Sequence, residues 1–126
     1  MSGRYTILYV DDDPSNLKLV EHTLRQRDDI DFFEAINGTA GIAHAVSIHP
    51  DLILLDISLP DMDGFEVLHK LRQQEQMRDI PVLALSAHCM PNDVERGRQA
   101  GFAEYLSKPF NLKEFLGCLK QYLPVD

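Results

Sequence analysis

Four groups of residues could do chemistry together: the acidic pair Asp11-Asp12, the carboxylate of Asp56, the hydroxyl of Ser86 and the ammonium of Lys108. Three carboxylates brought together repel one another, and a combined charge of about −3 is tolerable only with a cation among them. Donors that are all oxygen suit Mg²⁺, a hard ion that takes few carboxylates and keeps several waters. With Mg²⁺ and Lys108 in place the formal charge falls to about zero, and an incoming phosphoryl anion is no longer repelled. One carboxylate can then attack phosphorus and form an acyl phosphate while cation and lysine neutralise the transferring oxygens.

Residues so far apart in the chain meet only if a fold gathers them. Residues 6–10 are an apolar β-rich run halted by aspartates, and Leu17, Val20 and Leu24 then recur at helical spacing behind Asp13, a candidate cap, and Pro14. The alternation repeats, with strands expected at 31–36, 51–56, 81–86 and 102–107. Helices are expected at 39–48, 64–72, 93–100 and 112–123, the last with Leu112, Phe115, Leu116, Leu119 and Leu123 on one face. Strict alternation of five strands and five helices demands a mostly parallel sheet covered on both faces, because parallel strands need long right-handed crossovers. In such doubly wound α/β folds ligands bind at the carboxyl ends of the strands. Asp11-Asp12, Asp56, Ser86 and Ser107-Lys108-Pro109 are what those ends carry.

The 126 residues suit one domain, and a 44% hydrophobic content fills one core. With 12 basic and 20 acidic side chains the formal charge is −8, which argues against direct contact with nucleic acid or an anionic membrane. No apolar run approaches the roughly 20 residues that span a bilayer. Cys89 and Cys118 are far apart and form no CxxC pair, which fits a reducing cytoplasmic setting without disulfide or zinc.

With these motifs in order, the chain resembles the receiver domain of two-component response regulators. The likeness rests on 9–14 (YVDDDP), 51–56 (DLILLD), 59–64 (LPDMDG), 85–87 (LSA) and 105–109 (YLSKP), and covers residues 5 to 123. It implies a flavodoxin-like (βα)5 three-layer fold with strand order 2-1-3-4-5, in a single receiver domain without an effector domain. It implies that Asp56 accepts the phosphoryl group from a histidine kinase or histidine phosphotransfer domain, and that Asp11, Asp12, Asp56 and the backbone carbonyl of Ser58 hold Mg²⁺. Ser86 matches the switch hydroxyl, and Tyr105 matches the switch aromatic that alters the helix 4, strand 5 and helix 5 surface. Lys108-Pro109 matches a cis peptide that aims the lysine. His88, two residues past Ser86, and Ser58 are expected to tune how readily water attacks the acyl phosphate. The partner surface is expected on helix one around Asn16 and Leu17, and a homodimer on phosphorylation is also compatible with the family. The run at 88–102 is similar to receivers of hybrid histidine kinases; a stand-alone regulator is the alternative.

Other readings compete for the same residues. An Asp pair after a strand is commonly a turn or helix cap, and Ser86 and Tyr105 alone would pass for ordinary strand residues. Asp-x-Asp within 11–13 also suits a haloacid dehalogenase-type phosphatase, but Pro14 and Ser15 fit that motif poorly and the chain is short. A receiver that signals without phosphorylation would lack part of the quintet, which is complete here. The calcium-loop reading of 61–64 fails because Leu59 would occupy the first ligand position; the segment reads as a turn into helix three. His22, His44, His49 and His69 form no ligand set.

Overall fold

The computed structural model describes residues 5–25, 29–87, 90–108 and 112–122. The apolar runs form β1 (Tyr5–Val10), β2 (Ile30–Ala35), β3 (Leu52–Asp56), β4 (Val82–Ser86) and β5 (Glu104–Ser107). Between and after them lie α1 (Pro14–Leu24), α2 (Gly38–Ile48), α3 (Gly64–Arg72), α4 (Pro91–Ala100) and α5 (Leu112–Leu119). The strands pair in parallel in the order β2-β1-β3-β4-β5. The chain runs outward from β1 to β2, then reverses across β1 to β3. That reversal opens a crevice at the carboxyl ends of β1 and β3, where Asp11 and Asp56 stand.

Side chains alternate across the sheet and define two cores. Ile7, Tyr9, Leu52 and Leu54 pack with Leu17, Val20 and Leu24 of α1 and Phe115 and Leu119 of α5. On the other face Leu8, Val10, Ile53 and Leu55 meet Ala45 of α2 and Val67, Leu68 and Leu71 of α3. Because both faces are covered, β3 and β4 are buried along their whole length and read as unbroken apolar runs. Each large side chain so buried contributes about 1.5–3 kcal/mol relative to exposure.

The helix starts follow from short polar side chains. Asp13 accepts from the Ser15 amide at 2.9 Å ahead of Pro14, Asn37 from Ala40 at 2.7 Å, and Asp63 from Glu66 at 2.9 Å. Boundaries differ from the sequence expectation in places. β2 lies one residue earlier, since Ile30 pairs with Tyr5 and is buried whereas Ile36 stands 61% exposed beyond the strand. β5 starts at Glu104 because Gly101 takes a left-handed conformation (φ 111°) and the Phe102 amide returns to the Gly97 carbonyl at 3.1 Å, closing α4. α4 begins at Pro91 and α5 ends at Leu119; Leu123 lies outside the described residues. A 3-10 turn, Glu75–Met77, went unanticipated. It buries Met77 and is clasped by Arg72, whose Nη1 donates to the Met77 and Ile80 carbonyls at 2.6 and 2.8 Å.

Candidate functional site

β1 delivers Asp11 at the mouth of the crevice, fully buried, and β3 delivers Asp56, 4% exposed, while Asp12 stays open to solvent. A carboxylate oxygen from each of the three lies within 4.8 Å of the others. Lys108 arrives from the end of β5: its amide donates to the Ser86 carbonyl at 2.9 Å, extending the β4–β5 ladder by one residue. Its Nζ then sits 3.0 Å from Asp11 Oδ2 and 3.1 Å from Asp56 Oδ2. Ser86, buried at the end of β4, completes the convergence opposite Ser107.

The loop after β3 is held tightly. The Ser58 amide donates to Asp56 Oδ1 at 3.2 Å, Ser58 bridges antiparallel to Asp63, and the Gly64 amide donates to the Ile57 carbonyl at 2.8 Å. A Cβ on Gly64 would come within 2.9 Å of Ile57 Cα and 3.0 Å of the Asp56 carbonyl, so the turn closes only over glycine. At the loop tip Asp61 accepts from the Gly38 amide (2.8 Å), the Thr39 amide (2.9 Å) and the Thr39 hydroxyl (2.7 Å), pinning the loop to the start of α2. The Thr39 hydroxyl and these amides bring the Asp61 carboxyl down to about 2.

The two buried carboxylates are treated differently. Burial would raise Asp11, but the Tyr9 hydroxyl, the Asp13 amide and the Lys108 ammonium outweigh it and hold Asp11 below the usual carboxylate value. For Asp56, burial and then the negative charge of Asp11 win over Lys108 and the Ser58 amide, so its carboxyl is pushed up. Burial opposes the charge on Lys108, yet its two carboxylate partners raise it above the ordinary lysine value.

Three carboxylates and one ammonium leave a formal charge of about −2, which a divalent cation cancels. The donors are all oxygen, two from buried groups and one from the exposed Asp12, leaving an open side for water. That set fits a hard divalent ion such as Mg²⁺.

The family model for the response regulator receiver domain matches residues 7–120. The chain belongs to this family. The receiver is accordingly a component of two-component signalling, and the sheet order and alternating helices are those expected from the sequence. It is 42% identical over 93% of its length to the DNA-binding dual master transcriptional regulator RpaA of Synechocystis, of which it spans only 48%. It is 36% identical over 94% of its length to the polar-differentiation response regulator DivK of Brucella ovis, of which it spans 95%. The solved receiver domain of the sensor histidine kinase PA1611 of Pseudomonas aeruginosa PAO1, with magnesium in its active-site cleft, superposes with a TM-score of 0.84. The two are 33% identical, covering 96% of this receiver and 98% of that one.

The receiver brings Asp11, Asp12, Asp56 and Lys108 together, with the Ser58 amide on Asp56 and Ser86 buried at the end of the adjacent strand β4. Tyr105 sits beside them on β5, half-buried, its ring against Gly97 of α4 and edge-on to Phe102 at 6.4 Å. His88 and Pro109, and with Pro109 the expected cis bond, lie outside the described residues, as does Cys89. The partner surface expected around Asn16 and Leu17 needs correction. Leu17 is 6% exposed because it faces the sheet, and the Asn16 amide turns inward to donate to Asp11 Oδ2 at 3.3 Å. The solvent face of α1 is instead Ser15, Lys18, Leu19 and His22. Sequence reasoning also passed over Tyr9, whose hydroxyl donates to Asp11 Oδ2 at 2.6 Å. The signal was available: residues two apart on a strand share a face, and a buried tyrosine hydroxyl needs a partner. Among the described residues no helix is long and apolar enough to cross a membrane.

Proposed function

We propose that Asp56 is the phosphoacceptor, that Asp11, Asp12, Asp56 and the Ser58 backbone carbonyl hold Mg²⁺, and that Lys108 and Ser86 engage the transferred phosphoryl group. The observation that carries this reading is the single ammonium shared between Asp11 and Asp56 at 3.0 and 3.1 Å, with Asp12 beside them. Bound Mg²⁺ would supply charge neutralisation for the transferring oxygens. An Asp56 carboxylate oxygen attacks phosphorus, the P–N bond to the donor histidine breaks, and the imidazole keeps the electron pair and takes up a proton. Lys108, released toward the new phosphoryl oxygens, compensates their charge. Ser86 can donate a charge-assisted hydrogen bond to one of them, worth about 1.5–3 kcal/mol. Tyr105, packed on Gly97, then reports the state of Ser86 to α4 and β5, and His88 and Ser58 set the access of water to the acyl phosphate.

The unit proposed is a receiver over residues 5–123 acting in the cytoplasm, its phosphodonor a histidine kinase or histidine phosphotransfer domain that docks beside the exposed Asp12. The likeness to the PA1611 receiver supports a hybrid-kinase parent. The likeness to DivK keeps a stand-alone regulator as a second reading. Incubation with acetyl phosphate and Mg²⁺ followed by intact mass measurement is expected to add one phosphoryl group, lost in Asp56→Asn and without Mg²⁺. No adduct together with no beryllofluoride binding, or an adduct that survives Asp56→Asn, defeats the proposal.

A further inference from the structure

Asp11 is ringed by donors in an uneven way. Among the described residues its Oδ2 receives the Tyr9 hydroxyl at 2.6 Å, the Asn16 amide at 3.3 Å and Lys108 Nζ at 3.0 Å, whereas Oδ1 receives only the Asp13 amide at 2.9 Å. A carboxylate oxygen has about two lone pairs, so Oδ2 is filled and Oδ1 keeps the free capacity. Tyr9 is the least expected of these donors. It is fully buried in the core shared with α1 and α5, its ring edge-on to Phe32 at 6.4 Å and 64°. Phenylalanine would fill the same volume without a polar atom. The hydroxyl instead reaches up the strand, on the face it shares with Asp11, and meets the carboxylate from beneath the site.

We propose that Tyr9 is a positioning residue for the divalent-cation site: with Asn16 and Lys108 it occupies Asp11 Oδ2 and thereby presents Oδ1 to the cation. This rests on the reading that Asp11, Asp12 and Asp56 hold Mg²⁺. Groups that hold a metal ligand from behind fix its rotamer and its accepting oxygen, and their loss typically costs about 10–100-fold in metal affinity. The role is distinct from filling the core, which the ring alone does.

The test is a calorimetric Mg²⁺ titration of the full chain, of Tyr9→Phe, and of Ile7→Val, a neighbour on the same face of β1 that touches the core but not Asp11. Tyr9→Phe is expected to bind Mg²⁺ about tenfold more weakly, and Ile7→Val within about twofold of the parent. With acetyl phosphate, the Mg²⁺ needed for half-maximal phosphorylation of Tyr9→Phe rises by the same factor, while the rate at saturating Mg²⁺ returns to the parental level. Parental affinity in Tyr9→Phe overturns the inference, as does an equal weakening in Ile7→Val, which would mark general loosening of the core. A parent that binds no Mg²⁺ removes the underlying reading and this one with it. Should Tyr9→Phe fail to fold, 3-fluorotyrosine is incorporated into a chain carrying Tyr5→Phe, Tyr105→Phe and Tyr122→Phe, leaving Tyr9 as the one of the four tyrosines observed. Its fluorine resonance is expected to move with Mg²⁺ at the calorimetric half-saturation; an unmoved resonance overturns the inference.

Discussion

Replacing Asp56 by asparagine is expected to stabilise the metal-free receiver and to destabilise it relative to the parent once Mg²⁺ is added. At an effective dielectric of about 20, Lys108 at 3.1 Å attracts the Asp56 carboxylate by about 5 kcal/mol, and the Asp11 carboxylate, within 4.8 Å, repels it by at least about 3 kcal/mol. Removing the ion from water costs several kcal/mol more, so the sum runs against the charged form, in agreement with the upward shift of the Asp56 carboxyl. Asparagine keeps the shape and an accepting oxygen and removes the charge. A gain of about 1 kcal/mol follows, or about 4 °C in melting temperature for a domain of this size.

Protonation carries the same sign. A carboxyl whose folded value lies above its unfolded one takes up a proton on folding, so its contribution is favourable in acid and is lost as pH rises through the folded value. The advantage of Asp56→Asn is therefore largest at neutral pH and narrows as pH is lowered into the range where the raised Asp56 carboxyl takes up its proton. Mg²⁺ at about 100 times its dissociation constant adds about 2.7 kcal/mol to the parent, and less to a variant short of one charged ligand, so the order reverses. Melting curves followed by circular dichroism with and without Mg²⁺ decide the matter. A lower melting temperature for metal-free Asp56→Asn refutes the electrostatic reasoning, and an equal response to Mg²⁺ in both proteins refutes Asp56 as a ligand.

Asp61 gives a second titration of opposite sign: its carboxyl falls from 3.8 to about 2, so the stability it lends is present above the unfolded value and lost as pH drops through about 2. Asp61→Asn should flatten the acid limb of the unfolding profile between about pH 4 and 2, and an unchanged limb would show that the tie from the β3–α3 loop to Gly38 and Thr39 does not stabilise the fold. Cys118, free and buried on α5, has its thiol pushed from 9.0 up to about 11, first by burial and then by Glu104 and Glu114. At pH 8 its thiolate fraction is then about 100-fold below that of a free cysteine. Iodoacetamide labelling of the Cys89→Ala protein should be slower by at least that factor, and a rate within tenfold of free cysteine would mean that α5 undocks readily.

The alternation of apolar runs and turn residues made the sheet, its two covered faces and the strand ends legible, because a doubly wound fold leaves few other ways to bury five such strands. The convergence of Asp11, Asp12, Asp56 and Lys108 was legible for the same reason: each lies at or just past the end of a strand. What escaped was set by tertiary geometry. Phe102 reads as the start of a strand, yet the left-handed Gly101 turns it back onto Gly97 and hands its ring to the core. Leu17 and Asn16 read as a surface, yet the helical phase aims one at the sheet and the other at Asp11. Asp61 reads as a turn residue, and its three donors come from α2, more than twenty positions earlier in the chain.

The hydrogen bonds around the two aspartates are consistent with the proposal that Asp56, and not Asp11, is the nucleophile. Both are buried, both touch Lys108, and both end a strand at the switch point. Asp11 receives hydrogen bonds on both oxygens from Tyr9, Asn16 and Asp13 besides the lysine, and its charge is stabilised accordingly. Lone pairs committed to donors are poor at attacking phosphorus, and a carboxylate held this firmly serves as a ligand. Asp56 accepts from the Ser58 amide and Lys108, and its charged form is disfavoured where it stands. Its oxygens are therefore the more basic of the two, which suits the proposed attack on phosphorus. Charge stabilised at Asp11 and destabilised at Asp56 fits the proposed division, in which both hold the cation and Asp56 alone accepts the phosphoryl group.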